Sequence, residues 1–368
     1  MNGRSPKAAR PGKVRAARLT DLAALGDLSR LSQHDASDAG AVRSLGLPLS
    51  GSAVSVFSLF RMPLGAFQPH DQLYVFEEDR HLGGLLRVER DGHRDEWTIV
   101  ELDAIGQGEA GDIRYRLVQH LLRDGAKRGA VRFHVACADI GGNVELFMQH
   151  GFARYGEEWL YVRPLETDLP APMAIDDAAG LGIRPAAPID ALRLSQLYAA
   201  ATPAPVVRLE SYRLPDWERQ GSQWRIPRSS LTPILRFADV SAFVQEAGGP
   251  AGVAGPGGQD VAFGAFAQLG VSKEAQPHYL RIIARPDFDT SDLIRFGLGH
   301  IAEQAAIHRS GSRDHGHDHG VVAPVRTYES PIDGRLEDAG FDRTATVTLL
   351  MKETVVRVAE AALVPAVR

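Results

Sequence analysis

GDIRYRLVQHLLRDGAKRG, residues 111–129, decides how the rest of the chain reads. Apolar side chains recur at Ile113, Leu117 and Leu121, with Val118 and Leu122 beside them. That is the 3.6-residue spacing of a helix with one buried face. A second stretch, SDLIRFGLGHIAEQAAIHRSG at residues 291–311, repeats the plan. Each opens on a small residue and an aspartate, Asp112 or Asp292, and each carries a histidine eight residues later, His120 or His300. Both histidines lie on the row next to the inner face, where a packing role is expected. Two such helices in one chain point to a duplication.

The flanking segments support it. Upstream of the first helix, Leu73–Glu77, Leu82–Glu89 and Trp97–Asp103 read as strands separated by turns at 78–80 and 91–93, an antiparallel meander. Downstream, Val131–Cys137 reads as a strand, Asn143–His150 as a short helix stopped by Gly151, and Trp159–Arg163 as a last strand. A short strand at Val14–Arg18 and a helix with Leu22, Leu25, Leu28 and Leu31 on one face open the unit, and residues 34–70 have no clear period. The order then recurs. Asp190 follows Asp21 by 169 residues, His300 follows His120 by 180, and Gly340-Phe341 follows Gly151-Phe152 by 189. The growing offsets fall in polar, glycine-rich loops at 248–258 and 310–320, where insertions are tolerated. The predicted organisation is a disordered tail at 1–12, one α/β domain over 13–165, a Pro/Asp/Ala linker at 166–182, a second domain over 183–354 and a tail at 355–368.

Composition narrows the function classes. With 368 residues, 44% hydrophobic and 24% charged, the chain has material for two soluble cores. A formal net charge of −5 gives no basic field, so neither nucleic acid nor anionic lipid is the expected partner. No apolar run is long enough to span a membrane and no signal peptide is read at the start. The single cysteine, Cys137, excludes an internal disulfide and fits a reducing cytoplasm.

The strand, helix and meander order, found twice, resembles the GNAT N-acetyltransferase family, and VELFMQHGF at 144–152 carries the resemblance locally. It is similar to the family segment in which a short helix runs into Gly-Phe before the last strand, and the second copy has GRLEDAGF at 334–341. The resemblance implies two tandem domains of α+β type, each a mixed, mostly antiparallel sheet flanked by helices. It implies acetyl-CoA as co-substrate and a small-molecule amine as acceptor, in a monomer or homodimer. In the family, the pantetheine arm lies along the fourth strand and the pyrophosphate sits on the next helix's N-terminus, whose free N–H groups and dipole attract anions. Here those positions are Leu102 on the strand, then Gly106, Gly108, Gly111, Ile113 and Arg114. The family signature Gln/Arg-x-x-Gly-x-Gly/Ala falls on Glu109–Arg114 and Asp289–Ile294, so aspartates, Asp112 and Asp292, replace its first glycine. Each aspartate is expected to cap its helix and to repel phosphate.

The family's chemistry needs a base and a proton donor. Glu101 on the fourth strand is the expected base; a solvated strand face is the plainer reading of it. The family's tyrosine position falls on Phe147 and Leu336, neither of which carries a proton, and Cys137 is the substitute acid. The second copy has no carboxylate on Leu280–Arg285, so the first is the expected active copy. The alternative is an inactive pseudoenzyme that binds a small molecule or a protein. Trp217, Trp224, Arg213, Arg219, Arg225 and Arg228 form either a packed segment or a lid for an acidic or aromatic acceptor. The loop His315-Gly-His-Asp-His319 reads as polar surface, and no metal site is expected.

Overall fold

In the first half the chain forms β1 (Lys13–Ala16), β2 (Asp71–Glu78), β3 (His81–Asp91), β4 (Glu96–Ala104), α1 (Ala110–Lys127), β5 (Arg132–Cys137), α2 (Asn143–Gln149) and β6 (Ala153–Arg163). The second half forms α3 (Ile175–Gly180), β7 (Ile183–Pro185), α4 (Ala191–Ala201), α5 (Ala204–Glu210), α6 (Leu214–Glu218), β8 (Phe237–Glu246), β9 (Phe263–Ser272) and β10 (His278–Ala284). It closes with α7 (Ser291–Ser310), β11 (Val321–Arg326), α8 (Pro331–Asp338) and β12 (Asp342–Glu353). The computed structural model describes residues 12–21, 23–25, 28, 71–79, 81–91, 94–105, 109–164, 170–218, 226–248, 262–272, 276–310, 320–329 and 331–354. The unassigned segment at 34–70, most of the glycine-rich loop, the histidine-rich loop, Trp224, Arg219, Arg225, residues 1–11 and the tail at 355–368 lie outside those residues.

The predicted meander is present. Its tight turns place Asp79 and Asp95 at positive φ, 44° and 52°, a conformation that aspartate tolerates better than most side chains. The predicted helix faces are buried as their spacing requires. Ile113, Leu117, Val118 and Leu121 of α1 lie with Leu86, Trp97, Leu102 and Phe133 in one core. Leu293, Ile294, Leu298 and Ile301 of α7 do the same with Leu269, Leu280 and Ile282.

The duplication is visible in side-chain contacts as well as in element order. Arg15 on β1 forks onto Asp21 at 2.6 and 2.9 Å, and Asp21 also accepts the Arg18 N–H. Arg184 on β7 forks onto Asp190 at 2.8 and 2.9 Å, and Asp190 also accepts the Ala187 N–H. Each arginine has a second carboxylate from the neighbouring strand, Glu77 or Glu246. The two histidines pack alike: His120 meets the Tyr74 ring at 5.3 Å, and His300 meets Phe243 at 5.0 Å.

The halves do not close separate sheets. All described strands form one 12-stranded sheet in the order β1-β2-β3-β4-β5-β12-β6-β11-β10-β9-β8-β7. The last strand of each half has crossed over. β12 lies antiparallel between β5 and β6, and β6 lies antiparallel between β12 and β11. Gly320 enters β11 at φ 80°, and a Cβ there would collide with the Arg163 carbonyl oxygen at the end of β6. Only glycine combines that backbone with that approach.

The sheet face away from α1 and α7 carries a shared apolar layer. Val100, Leu160, Tyr279, Val322 and Val347 come from strands of both halves, and Leu231, Ile234 and Leu235 cover them. That segment of the second half roofs the region where β4 and β5 meet.

Candidate active site between the two halves

β4 and β5 run parallel and pair only from Glu96 with Arg132 to Ile99 with Val135. Beyond Ile99 the strands part, so β4 from Val100 to Ala104 has no strand on that side. On its other edge β4 keeps its pairing with β3 through a bulge. Arg87 opposes Glu101 and Val88 opposes Ile99, which leaves Val100 unmatched. The extra residue re-aims the strand. Trp97, Ile99 and then Leu102 face the core under α1, so Thr98, Glu101 and Asp103 share the opposite face.

The N-terminus of α1 follows this gap. Glu109 occupies the cap position without a side-chain bond, and the expected cap, Asp112, sits inside the first turn, 70% exposed, 3.7 Å from Arg116. In α7 the capping carboxylate is Asp289, which accepts the Ser291 N–H at 3.1 Å, while Asp292 is exposed beside Arg295. Both aspartate caps read from the sequence are therefore corrected. The matching of the two helices places these residues one turn too late. The first-turn N–H groups of α1 have no intrahelical acceptor.

The residues expected at the cofactor divide into three groups. Gly106 and Gly108 lie outside the described residues. Gly111 is open, with nothing within 4 Å of where a Cβ would stand. Ile113 and Leu102 turn their side chains into the core, and the Ile113 N–H is bonded to the Glu109 carbonyl at 3.0 Å, so it is not free for an anion. Arg114 bends inward to donate to Asn143, and burial pulls its guanidinium down against the pull of Asp103 and Cys137. Its Nε is buried without a hydrogen-bond partner among the described residues.

Glu101 lies 3.3 Å from Arg87 on the same face as Thr98. Cys137 is sealed in the α1 core, and burial pushes its thiol up to about 12. A thiol so placed stays protonated and touches no solvent, which removes the physical basis for its expected role as an acid. Phe147 and Leu336 are core residues, Phe147 against Phe152 at 5.4 Å. Trp217 is buried among Tyr198 and Tyr212, so it packs and does not form a lid.

A cavity of about 780 Å³, its open mouth included, lies where the strands part. Its floor is Thr98, Ile99 and Val100 of β4 with His134, Val135 and Ala136 of β5; its roof is Arg228–Ser230 and Thr232–Ile234; Glu89 and Asp91 of β3, with Tyr155, Arg326 and Leu349, line the rest. Beneath it Glu96, 3% exposed, collects Arg94 at 3.0 Å, Arg228 at 2.7 Å and Arg132 at 3.4 Å. Burial pushes the Glu96 carboxyl up, but His134, Arg228 and Arg94 outweigh it and hold the group well below the usual carboxylate range. His134 Nε2 lies 3.3 Å from Glu96 Oε2 without hydrogen-bond alignment. Burial and Arg228 pull His134 down despite Glu96, so it is neutral at pH 7. Arg326 Nε lies 3.2 Å from Glu158, and its Nη2 donates to Glu210 at 3.2 Å and to the Arg228 carbonyl at 2.7 Å. Arg326 thus ties β11 to β6 and to the roof.

The second copy's gap is different. β10 and β11 pair only at His278 with Val321 and Tyr279 with Val322. Arg281 then bridges the parting strands, donating to the carbonyls of Ile282 at 2.8 Å and Pro324 at 3.2 Å, and forks onto Glu329 at 2.7 Å through both Nη atoms. Arginine and glutamate are 2% and 3% exposed, so this gap is filled.

Two parallel strands that pair briefly and then part, twice in one chain, match known structures. A tandem GNAT protein from the clavulanic acid biosynthesis pathway, solved without AcCoA, superposes with a TM-score of 0.52 at 12% identity over 93% of this chain and 98% of its own. A GCN5-related N-acetyltransferase from Sphaerobacter thermophilus gives 0.52 at 14% identity over 93% and 95%. This is a tandem GNAT fold. At such identities the likeness is one of fold. No family model matches the sequence, and no curated protein does. Among the described residues no helix of this tandem GNAT fold is long and apolar enough to cross a membrane, and no cluster of metal-ligating side chains occurs.

Sequence reading missed Glu96, His134, Glu158 and Arg326, which come from four different strands. Their only local signal was a charged residue alternating with apolar ones inside a strand. The network has a measurable consequence. His120, His134 and His300 are all pulled down chiefly by burial. An unfolded histidine binds its proton near pH 6.5. As pH falls through that value the unfolded chain gains protons that the folded chain refuses, so stability falls. Melting temperature is expected to drop by several degrees between pH 7.5 and 5.5, with a smaller drop in His134→Gln. An equal drop in the variant removes His134 from this account.

Proposed function

We propose that the chain is an acyl-CoA-dependent N-acyltransferase that works in the cytoplasm on a small-molecule amine, with the reaction in the first copy. One observation carries the choice of copy: the β4/β5 gap opens into a cavity, whereas Arg281 and Glu329 fill the β10/β11 gap. The residues present suit acetyl-CoA. The free edge of β4 beyond Ile99, the open Gly111, the unbonded first turn of α1 and the orphaned Arg114 Nε are polar groups in need of partners. Acetyl-CoA supplies the activated acyl group.

The chain's own residues do the rest. The cavity orients the amine and keeps bulk water from the acyl group. Glu101, one residue past Val100 on the cavity wall, receives the amine proton through a water. Arg87, 3.3 Å away, holds its carboxylate in place. Cys137 has no part in the scheme because its thiol is sealed; the departing thiolate takes its proton from solvent. With an amine found to turn over, Glu101→Gln is expected to lower kcat/KM by about 10²–10⁴-fold, read as thiol release from acetyl-CoA. A loss under about threefold rejects Glu101 as the base.

A second reading has its own support. Asp112 stands exposed on the turn that would hold the pyrophosphate, and core side chains, Phe147 and Leu336, stand at the proton-donor positions. These favour an inactive binding module. Calorimetric titration of acetyl-CoA separates the readings: heat of binding, strengthened by Asp112→Gly, supports the enzyme, and its absence at millimolar ligand leaves the binding module.

A further inference from the structure

We propose that the cavity takes a carboxylate, so that the acceptor is an amine that also bears a carboxylic acid. The inference rests on the reading of the first copy as an acyltransferase. Two arginines of the second half line this cavity of the first: Arg228 in the roof and Arg326 on β11. Arg326 is 2% exposed, and its Nη1 is buried with no hydrogen-bond partner among the described residues; the Nη1 of Arg228 is buried and unbonded too. Arg326 Nε is buried without a hydrogen-bond partner as well, 3.2 Å from Glu158. Arg228 Nη2 sits on Glu96 at 2.7 Å and Asp91 at 3.3 Å, and Arg326 Nη2 sits on Glu210 and the Arg228 carbonyl. Each guanidinium is held from one side and presents an unused donor. A buried charged donor without an acceptor is costly, and a guanidinium edge matches a carboxylate in plane and charge.

The surroundings select the ligand. The Arg326 guanidinium lies over the Tyr155 ring, 5.8 Å from its centroid, on the far side of the cavity. Ser229, Ser230 and Thr232 add small hydroxyl groups along the roof. Glu96, Glu158, Glu210 and Asp91 match Arg94, Arg132, Arg228 and Arg326 charge for charge, which favours a monoanionic carboxylate over a dianionic phosphate. The floor at Val100 and Ala136 leads to the β4/β5 gap, where the amine end of the same molecule meets the acyl group.

The test is binding to the full chain without acetyl-CoA, by thermal shift and calorimetry. The probes are glycine, 4-aminobutyrate and L-glutamate; butylamine and glycinamide lack the carboxylate, and inorganic phosphate supplies the other anion. At least one amino acid is expected to bind and to raise the melting temperature, while butylamine and glycinamide do not. Arg228→Lys keeps a charge on Glu96 but replaces the two-nitrogen fork with one nitrogen, and is expected to weaken that binding at least tenfold while the free protein stays folded by circular dichroism. The proposal is overturned if no amino acid binds at tens of millimolar, if the neutral amines bind equally, if phosphate binds tighter than every carboxylate, or if Arg228→Lys binds as well as the parent. Acetyl-CoA is titrated separately. Acetyl-CoA binding without amino-acid binding sinks this inference alone, and the reverse sinks the acyltransferase reading alone.

Discussion

A chain ending at Gly340 is expected to lose the fold of both halves. It lacks β12 with Phe341 before it and residues 354–368 after it, and β12 joins the two. On one edge Thr348–Glu353 pairs with Cys137–Arg132 of β5, and on the other Asp342–Met351 pairs with Val162–Ala153 of β6. Its removal uncovers two long strand edges in the middle of the sheet and strips Val347 and Leu350 from two cores. Each such side chain accounts for roughly 1.5–3 kcal/mol of burial, and the lost strand pairing comes on top. β6 cannot simply slide into the vacant slot. Six residue pairs hold it to β11, from Val321 with Arg163 to Arg326 with Glu158, and Glu158 also receives the Ser230 N–H at 2.9 Å. Size-exclusion chromatography and circular dichroism test the expectation: aggregated or unfolded protein supports it, and a monomer that melts like the full chain rules it out.

Glu329→Ala is expected to destabilise the protein by about 3–5 kcal/mol, because it leaves Arg281 charged and buried. Glu329 also accepts the Arg326 N–H at 2.8 Å, so its loss frees the start of the turn after β11. Burial pushes the Arg281 guanidinium down, but Glu329 outweighs it and raises the group. The double variant Arg281→Leu with Glu329→Leu removes both charges and fills the gap with apolar atoms, so it is expected to recover most of the loss. Urea unfolding measures both. If Glu329→Ala alone costs under about 1 kcal/mol, the pair is not what closes the second gap.

The sequence made much of this fold legible because local spacing encodes it. The apolar period of residues 113–121, the turn residues between 78 and 95 and the Gly-Phe pairs at 151 and 340 each specify structure over a few neighbours, and each appears where it was read. The histidine pair, His120 and His300, reflects the repeat and packs as a repeat should. The site was far less legible. Glu101 shares a sheet face with Thr98 only because the bulge at Val100 shifts the alternation, and a strand pattern alone cannot show a bulge. Asp112 resembled a cap because the start of its helix was placed one turn late, within the usual uncertainty of helix ends.

What the sequence determined by itself was the duplication and the α+β order of each copy. These follow from composition and spacing within a few dozen residues. Only the tertiary structure decided which copy has an open site, and that the site belongs to both halves. Arg326 and Arg228 lie far along the chain from His134 and Tyr155, and they meet because the last strands change places. Strand exchange preserves every local hydrogen-bonding and burial pattern, since β6 and β12 pair antiparallel in either location. The same pattern therefore fits both arrangements, and only long-range contacts such as Arg326 with Glu158 distinguish them.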